Sequence, residues 1–450
     1  MTGTAMSCLR LFGAVLCVWA VLNGPIMTSA LAQGQDFKQI APKQIPLPPN
    51  PPAVAPPPLA AAPVADPNSV IIPVLKGLRL VDHIEKVRPN GVTGAGFLFE
   101  GLSLLRAPGA QAKLRPFLGQ PVTFGGLQKI RQAIINWYRS HNHAFLDVSF
   151  PEQDISSGVL QVLVTEFHLG LVKVQGNKWF STSLLRGEMH LRRGDPLVTS
   201  KLNEDQEWLN QNPFRRVEII AEPSAVVGDS DLVLQTQDSF PLRAYLGYDN
   251  TGTIVTGRNR WQLGVNWGNA FWGDGQLSYQ LETSDNFWHN RTAIPGLSRD
   301  PTFAAHSLNL QMPLLWHDEL QIFGSYQQAV PVLGPSLGLI GINGQASIRY
   351  IWRLPNLPHV SHEELQFGYD FKTANNNLQF GGISVSNSET EIDQFPVVYN
   401  ATIVDKFGLT TIINTFVFSP GNLTNANNDA AFQPPIRSFR HGFRQGKICV

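Results

Sequence analysis

From about residue 241 the chain alternates apolar and polar residues one at a time, and few architectures accept that pattern. Leu242, Ala244, Leu246 and Tyr248 alternate with Arg243, Tyr245, Gly247 and Asp249. Trp261, Leu263, Val265 and Trp267 alternate with Gln262, Gly264, Asn266 and Gly268, and Leu365, Phe367, Tyr369 and Phe371 with Gln366, Gly368 and Asp370. A period of two sends the two sets to opposite faces of a strand. A soluble antiparallel sheet alternates too, because one face packs on a core. Here, however, the polar set is Gln, Asn, Ser and Gly, and charged residues make up only 15% of the chain, against about 25% in soluble proteins. The apolar set ends in Trp and Tyr. A wall with lipid outside and water inside needs this distribution. Its strands must close on one another, because hydrocarbon cannot satisfy an open sheet edge. No run of about 18 apolar residues follows the N-terminus, which argues against a helical membrane protein. The expectation is an antiparallel transmembrane β-barrel over 239–436.

The N-terminus reads as an export signal over 1–32. Arg10 supplies the positive end, Leu11 to Leu22 the apolar core, and Ala30-Leu31-Ala32 a small-x-small cleavage site. The competing reading is a membrane anchor. Cys8 and Cys17 fall in this segment and Cys449 near the end, so neither a disulfide framework nor a Cys-based metal site is expected. Lys+Arg and Asp+Glu are both 34, and a neutral chain lacks the basic excess of a nucleic-acid binder. Residues 33–69 form a Pro-rich periplasmic extension. Proline fixes φ and removes the backbone donor, so this stretch is expected to be an extended spacer of polyproline type. A ligand for a Pro-binding module is the alternative.

Two similar units lie between the extension and the barrel. In 70–165, Val70 to Leu75 reads as a strand and Ala110 to Leu118 as a short helix. Thr123 caps a second helix, with Leu127, Ile130, Ile134 and Trp137 on one face. Strands Phe145 to Phe150 and Val159 to Val164 follow across the turn Ser156-Ser157-Gly158. In 166–238 the order repeats: strand Leu171 to Val174, helix Ser181 to Met189, a second helix capped by Thr199 and stopped by Pro213, then strands Val217 to Ala221 and Asp231 to Gln235. A tandem repeat of a small α/β unit suggests a modular docking arm.

With repeats and barrel in view, the chain resembles the two-partner secretion transporters, the haemolysin activation and secretion family. The first unit carries Leu114-Arg115-Pro116-Phe117-Leu118-Gly119-Gln120-Pro121-Val122-Thr123 and Phe150-Pro151-Glu152-Gln153-Asp154-Ile155. The second carries Val174-Gln175-Gly176-Asn177, Arg193-Gly194-Asp195-Pro196-Leu197 and Asn210-Gln211-Asn212-Pro213-Phe214-Arg215-Arg216. Asp249-Asn250-Thr251-Gly252 and Phe418-Ser419-Pro420-Gly421-Asn422-Leu423-Thr424 fit the barrel. The resemblance implies an α+β arm of two periplasmic POTRA repeats, followed by an antiparallel transmembrane β-barrel in the outer membrane of a Gram-negative bacterium. The family barrel has sixteen strands, whereas roughly 210 residues suffice for nine or ten. The expectation is therefore an incomplete barrel, from a C-terminally truncated chain with an aberrant tail over 437–450. Some members carry a plug helix in the extension, which the proline density here opposes.

The resemblance also implies a mechanism. A secreted exoprotein with an N-terminal secretion domain is captured unfolded by the POTRA units, by strand addition to a sheet edge, and passes through the barrel lumen. Besides that exoprotein, the implied partners are outer-membrane lipid and the barrel-assembly machinery, with no nucleic acid. No P-loop or Rossmann fingerprint is present, and neither a cofactor nor catalysis is expected. Candidate substrate-binding residues are Lys129, Arg131, Trp137 and Tyr138 in the first unit and Arg215 and Arg216 in the second. The competing readings are core packing for Trp137 and Tyr138 and a structural link to the barrel for Arg215 and Arg216. His141-Asn142-His143 reads as an exposed loop rather than a zinc site, and His317-Asp318-Glu319 as a short periplasmic turn. The rival functions are a barrel-assembly factor, a passive porin, a non-functional truncated copy and, more remotely, an enzyme.

Overall fold

The computed structural model describes residues 37–56, 66–288, 301–333, 336–354, 360–380 and 383–432. The expected signal segment and the tail from residue 437 lie outside these described residues. The described part of the extension opens with a single helical turn, α1 (Phe37–Ile40), and continues through 41–56 without regular structure.

The first unit is built on a four-stranded sheet of order β3 (Gly96–Glu100), β2 (Gly77–Val81), β6 (Val159–Glu166) and β5 (Leu146–Ser149). Strand β2 runs parallel to both neighbours, and β5 antiparallel to β6. Helices α2 (Pro108–Leu114) and α3 (Phe124–Arg139) accompany the sheet. The Thr123 hydroxyl accepts the Gly126 N–H at 3.0 Å, as a helix cap should. Ile130, Ile134 and Tyr138 are fully buried against Leu78, Leu80 and Val162. Each such aliphatic side chain contributes about 1.5–3 kcal/mol, which outweighs the poor helix propensity of Gly125 and Gly126. One expectation needs correction. The segment opening at Val70 forms only β1 (Val70–Ile72), which pairs with the short β4 (Val122–Thr123). The central strand is β2, buried at every residue.

The second unit repeats the core of this plan. Strand β7 (His168–Gln175) is parallel to β9 (Asp229–Asp238), and β8 (Arg215–Pro223) is antiparallel to it. Helices α4 (Thr182–Gly187) and α5 (Thr199–Leu209) follow β7. Ser181 caps α4 through the Leu184 N–H. Thr199 is the first residue of α5 rather than its cap. Its hydroxyl instead accepts the Ala144 N–H at 3.3 Å, and Phe145 packs into the second core, so the two units are joined.

The remaining strands form one antiparallel sheet in sequence order: β10 (Leu242–Asp249), β11 (Arg260–Ala270), β12 (Gly275–Ser284), β13 (Phe303–Pro313), β14 (Glu319–Ala329), β15 (Leu337–Arg353), β16 (Val360–Phe380), β17 (Ile383–Asp405) and β18 (Gly408–Phe418). Among the described residues this sheet has nine strands. Strands β15 to β17 run to 17, 21 and 23 residues, well beyond the 9–11 or so that cross a bilayer. Among the described residues β10 pairs only with β11 and β18 only with β17, so the described sheet is open.

Candidate functional site: the lumen and its periplasmic junction

The two faces of the sheet are inverted relative to a soluble protein. Leu246, Tyr248, Leu263, Leu308, Trp352 and Phe367 are exposed, while Gln262, Asn266, Ser278, Gln280, Ser307 and Asn309 are buried. The exposed face carries aromatic clusters at both strand ends. Tyr248 meets Trp261 at one end. At the other, Trp267 meets Phe271 and Trp272, and the Trp316 indole N–H donates to the Tyr350 hydroxyl. Aromatic girdles of this kind mark the two interfaces of a bilayer.

The polar face is occupied by the extension. Ile40 is 1% exposed and packs on Phe303 and Ala305, and Phe37 lies 4.7 Å from the Phe323 ring. The Ser307 hydroxyl donates to the Ile40 carbonyl at 2.6 Å, and the Asn266 amide to that of Lys43 at 3.0 Å. Tyr245 lies over Gly264, directly opposite on β11. Its hydroxyl accepts the Lys43 backbone N–H at 2.9 Å and donates to Gln280. Further along, the Gln206 amide donates to the Pro52 carbonyl at 2.8 Å, the Asn203 side chain accepts the Val54 N–H at 3.0 Å, and Val54 joins the core of the second unit. The extension is thus held at two places: Ile40 and Lys43 lie on the polar face of the sheet, and Pro52 and Val54 are fastened to α5. A Pro-rich chain keeps its carbonyls while losing donors, so Asn, Gln and Ser side chains can hold it as an extended strand.

The second unit meets the barrel at a buried polar junction. The Arg215 guanidinium, with no exposed surface, donates to Asp274 at 2.8 and 2.9 Å, to Glu188 at 2.7 Å and, through Nε, to the Leu209 carbonyl at 2.7 Å. Asp274 sits in the β11–β12 turn with φ of 60°. Burial pushes the Glu188 carboxyl up to about 8 and Asp274 upward as well, against the pull of Arg215. The Asn212 amide donates to Asp274 at 2.7 Å and also to the Gly268 carbonyl. His317, in the β13–β14 turn, stacks on Trp208 at 4.4 Å and points Nε2 at the Glu188 carbonyl. Burial holds His317 down to about 4, so its ring is neutral at pH 7. Gly268 carries the closest contact of this junction, because a Cβ there would overlap the Phe214 ring. Gly268→Val is therefore expected to destabilise the docked arm by about 1–3 kcal/mol, read as a lower thermal midpoint, whereas Gly273→Ala, with open space around it, should change little.

The six proposed binding residues fall into separate environments. Lys129 is exposed on α3, and Arg131 is paired with Asp147 at 3.1 Å. The Trp137 indole donates to the Leu104 carbonyl at 3.0 Å and packs on the first core. Tyr138 is wholly buried, its hydroxyl donating to Glu166 at 2.6 Å. Arg215 belongs to the junction, while Arg216 is half-buried opposite Gln237. Tyr138 and Arg215 thus present no side-chain surface to a partner, which corrects the expectation for both. They are structural for the same reason that they looked special: a polar group on an otherwise apolar stripe must find a buried partner. Sequence reading missed Glu188, Asp274 and Asn212, whose partners lie 27 to 62 residues away.

A POTRA-like repeat followed by a sheet with a lipid-type outer face and a polar inner one defines a class: outer-membrane β-barrels with a periplasmic POTRA arm. The fold agrees with CdiB from Escherichia coli, with a TM-score of 0.59 at 16% identity over 80% of this chain and 61% of that one. Within the class, residues 95–166 match the ShlB-type POTRA domain, and residues 228–333 match the haemolysin secretion/activation protein family ShlB/FhaC/HecB. These two segments carry the similarity to the haemolysin secretion/activation family. Similar sequences include the heme/hemopexin transporter protein HuxB of Haemophilus influenzae (strain 86-028NP), 22% identical over 38% of this chain and 31% of that protein. The outer membrane transporter CdiB of Dickeya dadantii (strain 3937) is 24% identical over 30% of this chain and 24% of that one. The matched stretch spans about a third or less of each of these relatives.

Proposed function

We propose that the chain serves as an outer-membrane transporter of the two-partner secretion type, taking an unfolded exoprotein from the periplasm through its polar lumen. The observation that supports this reading best is the edge of β7. In the first unit β3 covers the corresponding side of β2, in parallel pairing. In the second unit β7 pairs with no strand but β9 among the described strands; residues 194–197 bond to its start at His168 and Leu169, which leaves the edge from Leu171 onward. Leu171, Lys173 and Gln175 are exposed there. An extended segment of the partner adds to β7 as β3 adds to β2, using main-chain hydrogen bonds that demand little of its sequence. Of the candidate set, Lys129 lies on α3 of the first unit and Arg216 on β8, the far edge of the second sheet from β7, so neither is placed beside this edge. Inside, Ser325, Gln327, Asn343, Gln345, Lys372 and Thr373 line a lumenal cavity of about 280 Å³, which offers polar contacts without a deep apolar trap.

The test is binding of a purified secretion-domain polypeptide to the full chain in detergent. Proline placed separately at Val172 and at Lys173 removes an outward-facing N–H at one of the two positions. At least one variant is expected to lose binding by about tenfold or more, roughly 1.4 kcal/mol. Full affinity in both would exclude β7 as the capture edge, and no binding by the unaltered chain would sink the transport reading.

A further inference from the structure

The junction holds a second polar cluster, in which Asp205 also accepts the His190 and Leu191 backbone N–H groups. His190 follows α4, Asp205 lies on α5, and His317 comes from the β13–β14 turn of the barrel. One ligand atom from each lies within 4.8 Å of the other two. Asp205 is fully buried and His317 is 8% exposed. His190 opens onto a cavity of about 260 Å³ that Glu204, Glu207 and His362 also line.

The chemistry of these side chains is specific. His317 directs Nε2 to the Glu188 carbonyl, and a carbonyl only accepts, so Nε2 carries the proton and Nδ1 keeps its lone pair. A metal-bound imidazole is held in this way by an outer hydrogen bond. Stacking on Trp208, at an interplanar angle of 10°, fixes the ring plane as well. The His190 Nδ1 is 3.1 Å from the Asp205 carboxylate, and its ring touches that of His317 at 3.4 Å between centroids, so the His190 ring must turn away from His317 to share an ion with it. Two ligands on a tetrahedral Zn²⁺ at about 2.0–2.2 Å stand roughly 3.3–3.5 Å apart. The nitrogen and oxygen now stand at hydrogen-bond distance, and an ion taking the place of the shared proton would move them apart by a few tenths of an ångström, roughly to ligand spacing. Two imidazoles with one carboxylate suit Zn²⁺ and its neighbours, whereas Mg²⁺ and Ca²⁺ call for oxygen donors throughout.

We propose that His190, Asp205 and His317 form a site for a divalent transition metal of the Zn²⁺ class, with water from the cavity completing its shell. Because two ligands come from the second POTRA unit and one from a barrel turn, the ion fastens the arm to the barrel. The site goes beyond the transport reading and does not depend on it.

The experiment uses the full chain in detergent micelles, stripped with a chelator and titrated with Zn²⁺ at neutral pH by calorimetry. The unaltered chain is expected to bind one ion and to unfold at a higher temperature with zinc present. His190→Asn and His317→Gln should each weaken binding by about tenfold or more and abolish the thermal shift. Co²⁺ provides a reading on the unaltered chain alone, should either variant fail to fold. The visible absorption of a tetrahedral nitrogen and oxygen environment supports the site, and the weak spectrum of hydrated, octahedral Co²⁺ overturns it. Equal zinc uptake by the unaltered chain and a folded double variant, or no uptake at about 100 μM free zinc, also overturns it and leaves an ordinary His190–Asp205 pair.

Discussion

Replacing Arg215 with alanine is expected to lower stability by about 3–5 kcal/mol and to free the POTRA arm from the barrel. The magnitude follows from what remains. Glu188 and Asp274 are nearly inaccessible to water; burial already pushes both toward the neutral form, and without Arg215 the carboxylate charge that remains would be buried with no cation. The Leu209 carbonyl would also lose its Nε donor. Arg215→Met with Glu188→Gln and Asp274→Asn, which removes the charges together, should recover much of the loss, since replacing a whole buried network is often close to neutral. Arg216→Ala, one position along on a half-buried residue, should fall within about 0.5 kcal/mol of the unaltered chain. Thermal unfolding in detergent, with limited proteolysis between the arm and β10, measures all three. A single Arg215→Ala variant as stable as the parent would show that the network contributes nothing to docking.

Removing residues 37–56 should uncover the lumen wall. Ser307 is 3% exposed and covered by Ile40. A Ser307→Cys reporter, in a background without the native cysteines, should react with a water-soluble maleimide on the order of tenfold faster or more once the segment is gone, equivalent to about 1.4 kcal/mol of protection. Reporters on the lipid-type face, such as Leu263→Cys, should not change. Equal labelling of Ser307→Cys with and without the segment would place the extension elsewhere in solution.

The barrel was the most legible part of the sequence, because a period of two is a local signal. Every strand that reads as Trp261 to Trp267 does, aromatic residues facing one way and Gln, Asn or Gly the other, occupies the nine-stranded sheet. The helices of the arm were nearly as clear, since Leu127, Ile130, Ile134 and Trp137 recur at helical spacing. Strands β2 and β3 were not. Gly77-Leu78-Arg79-Leu80-Val81 is short, lacks alternation because both faces are buried, and contains an arginine. That arginine is accommodated by Glu100 at 2.8 Å and Gln161 at 2.6 Å, pairings that only the folded sheet creates. The contacts of the extension were hidden for a related reason. Proline density reports stiffness and missing donors, but whether a stiff strand floats or is gripped depends on donors more than 200 residues away, at Asn266 and Ser307. The junction shares this property, since Arg215 alone does not disclose Glu188 and Asp274.

The extended segment has one end against the inner wall and the other clipped to α5 by Asn203 and Gln206. Some ten residues of stiff polyproline-like chain transmit displacement with little slack, at about 3.1 Å per residue. The arrangement is a tie rod. Whatever draws Val54 out of the second unit also slackens the hold on Ile40, and whatever pushes Ile40 off the wall pulls on α5. Thermodynamic linkage makes the two effects equal in free energy. Under the proposed transport function, a cargo that enters the lumen would alter how firmly the arm keeps its grip, and a cargo that engages the arm would alter how readily the lumen clears.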